Sequence, residues 1–511
     1  MLLSTVNDNI YRVNTFPTKL YTPEAVAKLD QLAIESGIPG YTLMRRAGQA
    51  VFDVLRQSYP EATKILVLCG AGNNAGDGYV VARLARQQGL DVKVVSLIDP
   101  KKLPADALQA YQQWSECDQL SSSDTNLMAH ADVIVDALLG TGLAREVEGD
   151  WKKWINAVND SGKSIIAVDV PSGLDAATGA IKGAAIRAAL TVSFIGLKAG
   201  LFTGSGKACS GEVFFDSLDV PAQIYEGVEA AAILLREPVL PVRTHDSHKG
   251  QHGHVLVVGG NYGMPGAVIL AARAALRSGA GRVSVVTREL HVPAIAAACP
   301  EAMVHASTDG SLQGERLEAL VTGVSHAVIG PGLGRDAWAQ RLLAEVLELE
   351  KPMVIDADAI NILAEKCSVD KHVSISAPHV MTPHPGEAAR LLSNELNITP
   401  ADVQSDRFAA VQTLYEMLGG VIVLKGSGSI VFDGETLAVC PLGNAAMAVA
   451  GMGDVLSGVI AALAAQGLSL SEAASAGVYL HAKAGDLAAD GISRGMLATD
   501  VIEELPYVPV S

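Results

Sequence analysis

Two series of short apolar runs, each alternating with helical patterns, constrain this chain more than any other feature. In the first series, Lys64–Cys69 (K-I-L-V-L-C) reads as a buried strand and Val80–Gln88 as a helix. Val92–Leu97, Val133–Ala137 and Ser164–Val168 are further apolar runs, and Glu212–Phe215 closes the series near Pro221. The second opens with Val255–Val258, a glycine-rich turn, and a small-residue helix over Ala267–Ser278. Its strands recur at Arg282–Val286, Ala327–Gly330, Met353–Asp356 and Val421–Leu424. A short hairpin is expected around Asp433-Gly434, with helices from Asp454 nearly to Ile502. Strands joined through helices give a mainly parallel sheet covered on both faces, so each half is expected to be a layered α/β unit.

At 511 residues the chain is too long for one ordinary core. The pattern breaks between Pro221 and His254, where Pro238, Pro241 and the run T-H-D-S-H-K-G-Q-H-G-H form a linker. Two domains are expected, residues 1–225 and 226–511. Residues up to about Tyr21 read as an arm without periodicity. Helices follow, one starting at Thr22-Pro23-Glu24 and running to Ser36, the next from Thr42 to Ser58. The histidines His245, His248, His252 and His254 have no carboxylate or cysteine at regular spacing, so a polar loop is expected there, not a metal site.

Basic and acidic residues number 38 and 55, a net charge of −17, which argues against a nucleic-acid partner. A nucleotide is still open to a chain of this charge, because backbone amides can hold its phosphates. The six cysteines are scattered and include no C-x-x-C pair, which points to a reducing, cytoplasmic home. No signal peptide is read at the N-terminus. The most apolar window, Ala445–Gln466, is interrupted by Asp454 and nearby glycines, and no membrane span is expected.

The stretch Gly443–Gly458 (G-N-A-A-M-A-V-A-G-M-G-D-V-L-S-G) carries the sharpest chemical signal. A glycine turn opening a helix leaves several N–H groups aimed at one spot, a seat for a developing phosphate charge. Asp454 beside that seat reads either as a general base or as a helix cap. In the second series, Gly330–Gly334 (G-P-G-L-G), Asp356-Ala357-Asp358, Thr382–Glu387 (T-P-H-P-G-E) and Lys425–Ser429 (K-G-S-G-S) each end or follow a strand. Glu387 suits a solvated Mg2+, and the lysine loop suits nucleotide phosphates without being a Walker loop. In the first series, Gly70–Gly78 (G-A-G-N-N-A-G-D-G), Asp136 and Asp169 stand at three strand ends that can converge above one sheet edge. Asp77 reads there either as a functional group or as a helix N-cap.

These motifs carry a resemblance. G-N-N-x-G-D-G, D-A-L-L-G-T-G-L and D-V-P-S-G-L-D, in that order, resemble the NAD(P)H-hydrate epimerase family. H-K-G-x-x-G-H, G-P-G-L-G, D-A-D-A-I-N, T-P-H-P-G-E, L-K-G and G-M-G-D-V-L-S-G resemble the NAD(P)H-hydrate dehydratase family. Together they cover nearly the whole chain and look like the bifunctional NAD(P)H-hydrate repair family. Ala75 departs from it, standing where that family has glycine.

The resemblance implies a Rossmann-like three-layer sandwich followed by a ribokinase-like α/β domain. It implies that the first interconverts R and S hydrates of NADH and NADPH, and that the second dehydrates the S form at the expense of ADP or ATP with Mg2+. Asn73, Asn74, Ala75, Gly76, Asp77, Gly140, Thr141, Gly142, Leu143, Ala144, Arg145, Glu146 and Asp169 would line the epimerase substrate. Potassium would sit at Asn74, Asp136 and Ser172. Ala267, Gly334, His384 and Asp454 would contact the hydrate in the second site. Lys425, Gly426, Ser427, Gly428, Ser429 and Gly453 would contact the nucleotide. Asp169 and Asp454 would be the catalytic residues, and a homo-oligomer is expected. The alternatives are a ribokinase-type small-molecule kinase with a regulatory N-terminal nucleotide-binding domain, and a nucleotide sensor without turnover.

Overall fold

The computed structural model describes residues 10–11, 17–143, 145–370, 375–393, 397–492 and 494–510. The chain divides into two compact units, Met1–Ile233 and Leu234–Ser511. The division lies beyond the expected break at residue 225. The reason is the strand Ala232–Leu234, whose Ala232 and Ile233 pair with Leu20 and Lys19. That pairing also gives a role to part of the expected arm. Lys19–Tyr21 is a strand that pairs in parallel with Leu197–Lys198, and three residues are too few to show a period.

The first unit holds a seven-stranded sheet. Its order is Ile10–Tyr11, Glu212–Asp216, Leu190–Phe194, Ser164–Val168, Val133–Ala137, Lys64–Cys69 and Asp91–Ser96. All pairings are parallel except that of the edge strand Ile10–Tyr11. Side chains alternate between two cores. Ile65, Val67 and Cys69 pack toward the helices Gly40–Ser58 and Asn73–Gln87. Leu66 and Leu68 pack toward Trp154, Ile155 and Val158 of the helix Gly149–Asp160. This period of two, with helices on both faces, makes the unit a three-layer sandwich.

In the second unit the parallel strands run Met303–Ala306, Arg282–Thr287, His254–Val258, His326–Ile329, Met353–Ile355, His379–Met381 and Val421–Leu424. Ile430–Phe432 and Leu437–Val439 continue the sheet as the expected antiparallel hairpin. The helix Met452–Ala465 packs against Pro265–Arg277 and Leu470–Ala488. Buried positions occupy nearly all of its circumference, which fits a central helix. Among the described residues, no helix is long and apolar enough to cross a membrane.

Candidate active sites

In the first unit the carboxyl ends of the parallel strands and the start of the helix Asn73–Gln87 surround a cavity of about 680 Å3. Asn73, Asn74, Asp77, Gly140, Thr141, Gly142, Leu143, Arg145 and Asp169 line it. Ala75 and Gly76 do not. Ala75 is fully buried in the core, and a side chain at Gly76 would collide with Met44. Glu146 is exposed and outside the lining, and Ala144 lies outside the described residues. The helix begins at Asn73, earlier than the expected Val80, with Gly72 as its N-cap. Asp77 is therefore inside the helix and is not the cap. Burial, with Asp169 and Asp30 nearby, pushes its carboxyl well above the ordinary range.

Asp169 follows the strand Ser164–Val168 with φ of +65°. Ile195 and Leu218, which also line the cavity, have φ of +60° and +53°. Left-handed backbone costs a non-glycine residue about 1 kcal/mol or more, and such strain gathers at functional sites. What holds Asp169 is a set of donors. Lys198, buried with 1% of its side chain exposed, forms an ion pair with the Asp169 carboxylate. The Phe194 N–H donates to Asp169 Oδ1 at 3.2 Å, and Lys198 Nζ donates to the Phe194 carbonyl at 2.9 Å. Sequence reasoning missed Lys198. The available signal was a lone lysine inside the apolar run F-I-G-L-K-A-G-L.

Asn74, Asp136 and Ser172 come together beside this cavity. Ser172 donates to Asp136 through its N–H at 2.8 Å and its hydroxyl at 2.6 Å, and Leu138 N–H adds a third bond at 3.2 Å. Asn74 Nδ2 donates to the Leu139 carbonyl at 3.2 Å, and the Leu139 N–H donates to Ser172 Oγ at 2.8 Å. Asp136 is fully buried, and burial pushes its carboxyl up to about 6 despite these bonds. A buried carboxylate whose named partners are all neutral, ringed by other oxygens, fits a hard monovalent cation.

The second unit brings three acidic groups, Asp356, Glu387 and Asp454, around one lysine. Lys425 Nζ lies 2.7 Å from Asp356 Oδ1 and 3.8 Å from Glu387 Oε2. Asp356 also accepts from Ser457 Oγ at 2.7 Å and Thr382 Oγ1 at 2.8 Å. Burial opposes the charge on Asp356, but Lys425 and these hydrogen bonds win and hold its carboxyl below the ordinary range. Glu387 is pushed the other way, to about 7, because burial outweighs Lys425. Asp358 accepts from the Gly334 N–H at 2.8 Å, which ties the G-P-G-L-G turn to the D-A-D strand end. Ala267 borders the same turn, 3.1 Å from where a side chain at Gly332 would begin. His384 caps the helix Pro385–Leu392, its Nδ1 accepting from Gly386 N–H at 2.9 Å while Glu387 Oε2 accepts from His384 N–H at 2.8 Å. This capping box turns Glu387 inward.

Asp454 is the third residue of the helix Met452–Ala465, and its N-cap position is taken by Gly451 at φ +90°. A side chain at Gly451 would be left-handed and would meet Leu270 at 2.5 Å. The capping role weighed for Asp454 is therefore not the one this helix uses. Burial, then Asp356, pushes its carboxyl up to about 7, where it can both take and give a proton at neutral pH. Lys425 Nζ lies 3.1 Å from where a side chain at Gly453 would begin, so the lysine loop and the helix N-terminus face one spot. The four linker histidines do not gather. His245 and His248 are exposed, while His254 is buried in a strand with its ring 2.9 Å from Ser284 Oγ. Among the described residues no three or more His, Cys, Asp or Glu side chains are arranged so as to hold a metal ion by themselves.

Comparisons with known proteins agree with this division. Residues 255–507 match the family model described as NAD(P)H-hydrate dehydratase, and residues 40–200 match the YjeF-related protein N-terminus. The bifunctional NAD(P)H-hydrate repair enzyme Nnr of Coxiella burnetii is 45% identical over 497 residues, covering 96% of this chain and 99% of that one. The Escherichia coli protein of the same name is 44% identical, covering 92% and 90%. Among solved structures, an ADP/ATP-dependent NAD(P)H-hydrate dehydratase from Bacillus subtilis, crystallised with ATP and Mg2+, is 30% identical. It matches 53% of this chain and 93% of its own, with a TM-score of 0.46. With relatives of this identity matched over nearly their whole length, the chain belongs to the bifunctional NAD(P)H-hydrate repair enzymes, its N-terminal unit the epimerase and its ribokinase-like C-terminal unit the dehydratase.

Proposed function

We propose that the two sites act in series: the first supplies the S hydrate from either epimer, and the second returns it to NADH or NADPH. In the first, Asp169 removes and returns a proton as the carbinol carbon inverts. Lys198 keeps the Asp169 carboxylate in place, and Asp77 faces the substrate from the same cavity. Asn74, Asp136 and Ser172 would hold potassium, which supplies positive charge next to a cavity rich in carboxylates.

In the second site, Asp454 takes the proton of the carbinol hydroxyl as that oxygen attacks the terminal phosphoryl group of ADP or ATP. The amides at Gly453 and the lysine loop steady the moving phosphoryl group. The carbon–oxygen bond then breaks with phosphate leaving, the neighbouring carbon gives up a proton, and the ring double bond is restored. Water is a poor leaving group and phosphate a good one, which is why a kinase-like fold serves a dehydration. Glu387 fits a Mg2+ held through water, since its buried carboxyl near 7 gains by a nearby cation. Magnesium held there would supply positive charge to the phosphates. The observation that carries this reading is Asp454, a carboxyl poised near neutrality beside a helix N-terminus that it does not cap. The six scattered cysteines, with no C-x-x-C pair, support a reducing, cytoplasmic setting.

The test is to incubate the protein with hydrated NADH and ADP or ATP, following dihydronicotinamide absorbance and phosphate release together. A phosphorylated product without recovered absorbance would favour the kinase alternative and sink the proposal.

A further inference from the structure

Arg407 is the first residue of the helix Arg407–Leu418 and is 0% exposed. Its Nη1 donates to Gln404 Oε1 at 2.7 Å. Its Nη2 reaches three carbonyls of one short segment: Leu424 at 3.0 Å, Lys425 at 3.2 Å and Gly428 at 3.4 Å. A side chain at Gly426 would begin 3.0 Å from Nη1, so the segment wraps the guanidinium closely. Burial pushes the Arg407 pKa down to about 10, which leaves it charged at neutral pH. A buried charge is costly unless it is hydrogen-bonded, and here Gln404 and the carbonyls of this segment accept from the guanidinium.

Peptide geometry says what depends on it. In a trans peptide the carbonyl of one residue and the N–H of the next point in opposite directions. The Leu424 carbonyl faces Arg407, and the Lys425 N–H accordingly points away, donating to the Pro383 carbonyl at 2.9 Å. By the same rule, carbonyls of Lys425 and Gly428 turned toward Arg407 aim the N–H groups of Gly426 and Ser429 outward. These belong to the loop that carries Lys425 to the carboxylate cluster. We propose that Arg407 is a positioning residue: by gathering the carbonyls of Leu424, Lys425 and Gly428 it turns the loop amides toward the phosphates of the adenine nucleotide. Arg407 touches neither hydrate nor nucleotide. The inference rests on the reading of Lys425–Ser429 as the nucleotide seat.

Arg407→Lys keeps the charge but loses the planar fork. The full chain carrying it is expected to show a nucleotide KM raised by about tenfold or more, the scale of one lost charged hydrogen bond. The KM for the hydrate should hold, kcat should stay within about threefold, and calorimetric binding of ADP and ATP should weaken in parallel. A role in stability alone would lower Tm without this split. Gln404→Leu, which removes the acceptor for Nη1, should move nucleotide KM the same way by a smaller factor, and it decides the matter if Arg407→Lys does not fold. Unchanged nucleotide KM and binding in a folded variant overturn the inference. Ser427→Glu, at an exposed loop position, separates the two levels. If the added negative charge leaves nucleotide binding intact, the loop is not the seat. If it weakens binding while the Arg407 and Gln404 variants do not, only the positioning role fails.

Discussion

Lys425 and Asp356 form an ion pair at 2.7 Å although 69 residues separate them in sequence, because each stands at the carboxyl end of its own parallel strand. Asp356 is 1% exposed. The pair therefore joins stability to chemistry: the lysine that neutralises Asp356 also lies beside Gly453, at the start of the helix Met452–Ala465.

Lys425→Met should accordingly do two things. It leaves Asp356 buried without its countercharge, a loss on the order of 3–5 kcal/mol. The melting transition of the second unit should fall by about 10 °C, read by calorimetry. Nucleotide binding should fall with it. A Tm within a degree or two of wild type would show that the pair does not carry this stability.

Asp454→Asn keeps size and polarity but cannot accept the proton. Turnover of the S hydrate should fall by about two to four orders of magnitude, with nucleotide affinity held or raised. Epimerisation should be untouched. Near-normal turnover would remove the catalytic role.

The same carboxyl sets a pH profile. With its pKa at about 7, Asp454 becomes a competent base as pH rises through neutrality, so wild-type dehydration should climb from pH 6 to 8 and then level. Stability runs the opposite way. The folded pKa lies above the unfolded one, so Asp454 contributes most stability at acid pH and loses it as pH rises toward 7. Asp454→Asn should therefore melt a few degrees higher than wild type at pH 8, with the gain shrinking toward pH 4. A gain that grows on acidification would contradict this.

Asp136 gives a reading of the cation that does not depend on activity. Potassium near its buried carboxyl should raise the melting temperature of the first unit at pH 7 to 8 more than sodium at equal ionic strength. Asp136→Asn should abolish that difference and reduce epimerisation, while dehydration of pure S hydrate continues. Equal effects of the two salts on wild type would argue against a selective site.

Much of this was legible in the residues. Apolar runs such as Lys64–Cys69 and Val421–Leu424 announced their strands, and the glycine-rich motifs lay at strand ends, where parallel sheets gather ligands. Motifs with a fixed local geometry, such as T-P-H-P-G-E, could be read because their contacts are local. Lys198 stood out only as a lone lysine in an apolar run and Arg407 not at all, since each owes its role to partners brought in by the fold. The strand Leu190–Phe194 escaped notice because Thr191 and Ser193 interrupt its apolar pattern, yet both are fully buried. Ala75 and Gly76 sit within a functional motif and serve its packing, a distinction that sequence position alone does not make.

The anion seat proposed for the second unit would consist of main-chain amides and one largely covered ammonium, in a chain that carries a net charge of −17. Recognition of this kind uses dipoles fixed by covalent geometry, where a surface lysine patch would use mobile charges wrapped in counterions. Salt screens the second strongly and the first hardly at all. Nucleotide capture by this protein should thus vary little between dilute buffer and high ionic strength.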